Sequence, residues 1–137
     1  MLKPDGIFAA WGYSWSAITP AIDAVVANDI LTLLAPYWAP QNRLLWESYR
    51  GVPFPFDPIV APAFAIELEW TLDEFMAYVH TWSATRLCLA ERGDDCLQGA
   101  RQHLLQVWGD PALYRSVRMQ LAVRIGRRGA SLVPMAR

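Results

Sequence analysis

The apolar positions along the chain fall into two rhythms. Ile7-Phe8-Ala9-Ala10-Trp11 is an unbroken apolar run of strand length, entered from the turn signal Pro4-Asp5-Gly6. A run without alternation suits a strand covered on both faces, as in a parallel sheet. Thr19 and Pro20 read as an N-cap and first helical residue. Ile22, Val25, Val26, Ile30, Leu33 and Leu34 then share one helical face, and Pro36 closes the segment. Phe64, Ile66, Leu68 and Trp70 alternate with Ala65, Glu67 and Glu69, the period of a strand with one wet face. Thr71-Leu72-Asp73-Glu74 is a capping box. The spacing predicts one helix beyond it, carrying Phe75, Met76, Val79, Trp82 and Leu89 and stopping near Gly93. Asp94 or Asp95 is expected to cap a further helix with Leu97, Leu104, Leu105 and Trp108 inward, ended by Gly109. Val117, Met119, Leu121, Val123 and Ile125 alternate with polar or small neighbours in a final long strand.

The order strand, helix, irregular segment, strand, two helices, strand predicts an α/β fold with a mixed sheet of about three strands and flanking helices. The domain is expected to span residues 1–127, with 128–137 a flexible tail. Between Pro36 and Pro62 the chain carries prolines at 36, 40, 53, 55, 58 and 62, together with Tyr37, Trp38, Trp46, Tyr49, Phe54 and Phe56. A short helix from Arg43 to Tyr49 fits inside it. An irregular segment this aromatic is expected to pack as a lid or wall over a pocket.

Composition narrows the function classes. Hydrophobic residues make up 54% of the 137 residues, charged ones 18%, and the mean hydropathy is +0.15. That is too much apolar surface for intrinsic disorder. The most apolar helical stretch, Ala21 to Leu34, is interrupted by Asp23, Asn28 and Asp29, which argues against a membrane span. With a net charge of −1 and no basic block, nucleic acid is excluded as the expected partner. Cys88 and Cys96 make no disulfide framework or common zinc pattern and read as reduced thiols, and the N-terminus lacks the apolar core of a signal peptide. A cytoplasmic location is the expectation. Seven Trp, five Tyr and five Phe are a heavy load, costly to expose, and they are expected to line a core, a pocket or an interface.

No glycine-rich phosphate loop, nucleophile elbow or H-E-x-x-H metal word is present, and no metal site is expected. His103, in Arg101-Gln102-His103-Leu104, reads as part of a solvated helix face, and Glu67 and Glu69 as a solvated strand face. His80 lies in Tyr78-Val79-His80-Thr81-Trp82-Ser83, a run of hydrogen-bonding side chains on an otherwise apolar helix. It reads either as a base or carboxylate partner facing a pocket, or as a satisfied core histidine.

Several words resemble one family. Leu2-Lys3-Pro4-Asp5-Gly6 followed by Ile7-Phe8-Ala9-Ala10-Trp11-Gly12-Tyr13 is similar to the L-[KR]-P-G-G turn and fifth strand of class I S-adenosylmethionine-dependent methyltransferases, with Asp5 in place of the first glycine. Pro36-Tyr37-Trp38, Tyr49-Arg50, Phe54-Pro55-Phe56, Glu69-Trp70-Thr71, Tyr78 to Ala84 and Ala122 to Arg127 resemble the branch that includes trans-aconitate methyltransferase-like proteins. That branch often carries Arg where this chain has His80. The resemblance implies a partial Rossmann-like methyltransferase fold, the C-terminal, substrate-side portion of the enzyme, opening at its fifth strand. The family's glycine-rich donor loop and acidic strand end have no counterpart here, so donor-binding and catalytic residues are unassigned. The chain is expected to bind S-adenosylmethionine weakly or not at all and to be inactive alone. The resemblance implies a small-molecule methyl acceptor. Tyr13 and Trp15, just beyond the first strand, would form one wall of its site, and Tyr37, Trp38, His80, Thr81 and Trp82 the other. Two readings from other classes remain. One is a non-catalytic interaction module, homodimeric through the exposed edge of strand 7–11 or by exchange of elements. The other is a small apolar-ligand binder.

Overall fold

In the computed structural model, which describes residues 2–93 and 96–129, β4 (Arg115–Arg127) is the spine of a four-stranded sheet. On one side it pairs with β1 (Ile7–Ala17), on the other with β3 (Ala65–Trp70) and the short β2 (Asp57–Ile59). All these pairings are antiparallel. The α/β class is as expected, but the sheet has a fourth short strand and no parallel pair among the described residues. The long crossovers a parallel pair requires do not occur here; each strand instead returns along β4. Order also persists past the expected boundary. The Arg128 amide donates to the Gly6 carbonyl at 2.9 Å and its carbonyl accepts from Asp5 at 3.0 Å, so Arg128 is no part of a loose tail. Residues 130–137 lie outside the described residues, as do Asp94 and Asp95.

The helical layer supplies the core. Thr19 caps α1 (Pro20–Val25) by accepting from the Ile22 amide, and Asp23 turns back to the Ile18 amide at 2.9 Å. The buried positions Ile22, Val26, Ile30 and Leu34 recur every four residues. That is slower than the 3.6-residue α-turn, and a wide π turn over Val26–Leu31 takes up the difference before α2 (Thr32–Leu34). They meet Leu72, Phe75 and Val79 of α4 (Leu72–His80), Ala84 and Cys88 of α5 (Ser83–Arg92), and Leu104 and Trp108 of α6 (Gln98–Trp108). The Trp108 indole donates to the Leu113 carbonyl at 2.9 Å, so this largest buried side chain keeps its polar atom satisfied. No helix among the described residues is long and apolar enough to cross a membrane.

Two expectations about elements are corrected. The single helix after Thr71 is two helices. The Thr81 hydroxyl donates to the Tyr78 carbonyl at 2.6 Å, competing with helix continuation, and Trp82 leaves the helix in extended conformation. Nor is β1 covered on both faces. Phe8 stacks on Phe56 at 4.9 Å between ring centroids, and Gly12 lies against Leu45, so one face is packed. On the other, Ile7 is 48% exposed and Trp11 66%, beside their cross-strand partners Arg127 and Val123.

Candidate functional site

The site starts from an irregularity in β1. Tyr13 pairs with Leu121 and Ser16 with Met119, so Ser14 and Trp15 together oppose the single residue Gln120. Such a bulge re-aims side chains. It lets three consecutive residues, Tyr13, Ser14 and Trp15, line one cleft, which regular alternation would forbid. The Ser14 hydroxyl donates to the Gln120 carbonyl at 3.1 Å and holds the bulge.

Opposite stands the segment after α2. The 3-10 turn Ala35–Tyr37 delivers Trp38, and α3 (Asn42–Trp46) delivers Asn42, Leu45 and Trp46. This segment is tied to the sheet by Arg124, whose guanidinium donates to the Tyr49 and Val52 carbonyls at 2.7 and 2.9 Å and lies 4.6 Å from the Phe54 ring centre. The third wall is the α4–α5 junction, with Tyr78, Thr81, Trp82 and Ser83. Trp82, four residues beyond Tyr78, packs against its ring at 5.5 Å between centroids on the cleft side.

Four indoles meet here. Trp15 lies 5.5, 5.0 and 5.7 Å from Trp38, Trp46 and Trp82 between ring centroids, and Trp38 lies 5.5 and 5.6 Å from Trp46 and Trp82. The edge-on and tilted angles suit aromatic quadrupoles. The cluster separates a cleft of about 270 Å³ from a second hollow of about 550 Å³ that shares Trp15, Trp38 and Trp46 and adds Leu31, Pro40 and Arg43. None of the residues lining the first cleft carries a charge. Tyr78 is held above the ordinary tyrosine pKa chiefly by burial, with the nearby Trp82 indole partly opposing, and stays a neutral phenol.

Of the seven candidates read from the sequence, Tyr13, Trp15, Trp38, Thr81 and Trp82 come together in this cleft. Tyr13 and Trp15 lie within β1, not beyond its end. Two candidates are elsewhere. The Tyr37 hydroxyl accepts from Arg92 Nε at 3.1 Å, and its pKa is raised, first by hydrogen bonding to Glu91 and then by burial. His80 is exposed and opens on a separate shallow groove with Met76, Gln98 and Arg101, so it is neither a buried core histidine nor a wall of the cleft. His80 is two residues along α4 from Tyr78, about 200° around the helix, and so shares the face of Met76 opposite the cleft. Ser14, Asn42, Leu45, Trp46, Tyr78 and Ser83 join the site without having been singled out as candidates. Trp46 and Tyr78 carried an aromatic signal; nothing local announced the bulge that recruits Ser14. His103 pairs with Asp29 at 2.6 Å, and Glu67 with Arg118 at 3.1 Å, both on the surface. Among the described residues no cluster of His, Cys, Asp and Glu could hold a metal ion.

The sequence matches no protein-family model and no curated protein. The structure is similar to one described as that of a "Putative Type II Methyltransferase" from Anaeromyxobacter dehalogenans, with a TM-score of 0.84 and 35% sequence identity. The likeness covers 93% of this chain and 54% of that one, so the chain spans about half the length of this neighbour. The chain has a methyltransferase-like fold.

Proposed function

We propose that the chain is the acceptor-side, C-terminal portion of an S-adenosylmethionine-dependent methyltransferase acting on a small molecule, of the branch that includes trans-aconitate methyltransferase-like proteins. The observation that carries this reading is the likeness to the Anaeromyxobacter protein over 93% of the chain. The branch rests on the sequence words, Tyr78 to Ala84 above all.

The residues present do not fit the donor. S-adenosylmethionine supplies an electrophilic methyl group, and its ribose and charged amino-acid end call for a close backbone approach and an acidic partner. The cleft offers no carboxylate, and no glycine-rich turn follows a described strand. This chain's own part is to hold and orient an acceptor against the tryptophan wall and keep water from it, with Asn42, Thr81 and Ser83 as hydrogen-bonding groups at its surface. Titration calorimetry of the chain with S-adenosylmethionine is expected to give no measurable heat of binding and no methyl transfer. A micromolar dissociation constant would overturn the assignment of the chain to the acceptor side alone.

A second reading is favoured by a specific feature. Among the described residues β1 pairs only with β4, and Ile7 and Trp11 stand exposed along it. A free apolar edge is a template for another strand. On this reading two copies form a homodimer, in the cytoplasm, through the edge of strand 7–11 or by exchange of elements. Light scattering across a concentration series checks it: a monomer at the highest concentration removes this reading and leaves the first untouched.

A further inference from the structure

The geometry points to an uncharged, flat, ring-bearing molecule as the acceptor that this cleft receives; the inference rests on the methyl-transfer reading and goes beyond it to the substrate class. The argument is one of charge and shape. Each residue lining the cleft of about 270 Å³ is neutral, including Ser14, Asn42, Thr81, Ser83 and the phenols of Tyr13 and Tyr78. A carboxylate drawn against apolar indoles loses its hydration and needs a cation or several donors in return. The nearest cation in the adjoining hollow is Arg43, whose Nε already donates to Glu47 at 2.7 Å, in an exposed pair. The cleft therefore discriminates against anions by offering them no cation in exchange for their lost hydration.

The aromatic wall also decides against a cationic ligand. Rings that enclose an ammonium stand apart with the cation between them. Here the indoles rest on one another at 5.0 to 5.7 Å, leaving no such space, and present a continuous surface. A planar ring stacks on that surface; a hydroxyl on it can donate to Thr81 Oγ1, whose own proton goes to the Tyr78 carbonyl, and a hydroxyl or carbonyl reaches Ser83 or Asn42.

Binding to the intact chain tests this without a donor. The indole N–H resonances are followed by NMR as 2-naphthol, 2-naphthoate, tricarballylate or tetramethylammonium is added. 2-Naphthol is expected to shift the indole signals and bind at least tenfold tighter than 2-naphthoate, with the other two showing no saturable binding. The variant Asn42→Arg, which puts a cation at the cleft wall without removing an indole, is expected to close most of the gap between naphthol and naphthoate. Equal or tighter binding of any charged probe, or unmoved indole signals with naphthol, would overturn the inference. Should naphthol bind as expected and yet no methyl transfer to neutral ring acceptors occur when a donor-binding portion is supplied, the methyl-transfer reading fails while the assignment of the cleft stands.

Discussion

The indole of Trp15 on β1 and that of Trp46 on α3 lie 5.0 Å apart between ring centroids, which makes the bulged strand and the proline-rich segment two sides of one wall. Trp15 also touches Trp38 and Trp82, so it joins every element that borders the cleft. Removing it should empty the centre of the cluster. Trp15→Ala is expected to destabilise the chain by about 3 kcal/mol, the usual scale for truncating a packed aromatic. Urea unfolding gives the energy, and near-ultraviolet dichroism should lose the bands that coupled indoles produce. A change too small to resolve would mean the cluster does not hold the segment to the sheet.

Gly126 and Gly99 make a contrasting pair. A Cβ at Gly126 would lie 2.5 Å from Phe56 Cβ and 2.6 Å from Phe54, because the Phe54-Pro55-Phe56 stretch presses on β4 there. Gly126→Ala is expected to cost about 1–3 kcal/mol, as overpacking generally does. At Gly99, in the first turn of α6, a Cβ meets nothing within 4 Å. Gly99→Ala should stabilise by roughly 0.5 kcal/mol through lost chain entropy in the unfolded state. Opposite shifts of the urea midpoint are the readout.

Tyr78 should betray its burial on alkaline titration. Its pKa is raised above 10.0, so the folded chain holds the phenolic proton more tightly than the unfolded chain does. This contribution to stability is complete below the unfolded value and is lost as pH rises through the folded one. Phenolate absorbance is expected to show late-titrating tyrosines, Tyr78 and Tyr37 among them, and Tyr78→Phe should remove one late step. An unchanged late step in that variant would contradict the placement of Tyr78.

The thiols of Cys88 and Cys96 lie 3.3 Å apart, Sγ to Sγ, where α5 gives way to α6. Two thiols at that distance are set to form a disulfide when hydrogen peroxide takes up their two electrons and leaves as water. Treatment with peroxide is expected to consume both thiols, lower the mass by two hydrogens and reverse with dithiothreitol. Cys96→Ser should leave Cys88, which is buried, slow to react. Retention of both thiols in the native chain under those conditions would show that the sulfurs are not so placed.

Local chemistry was enough to read most of the elements. Thr19-Pro20 and the capping box at Thr71 mark helix starts because side-chain oxygens there satisfy backbone donors whatever lies further off. The alternation in β3 and β4 follows from the pleat alone. The aromatic words around Trp38 and Trp82 announced a pocket wall for the same reason: their area is too costly to leave in water. What no local signal contained was which of these residues meet. The bulge at Ser14-Trp15 exists because β4 offers one residue where β1 has two, and the break at Thr81-Trp82 goes with an indole drawn toward Trp15 and Trp38. His80 lies outside the cleft although its neighbours in sequence lie inside, because two residues along α4 turn it about 200° away from Tyr78. Periodicity and capping are properties of a few adjacent residues and survive in the bare sequence. Register, and the direction a side chain takes at a break, depend on pairing between distant segments, and those the tertiary structure alone decides.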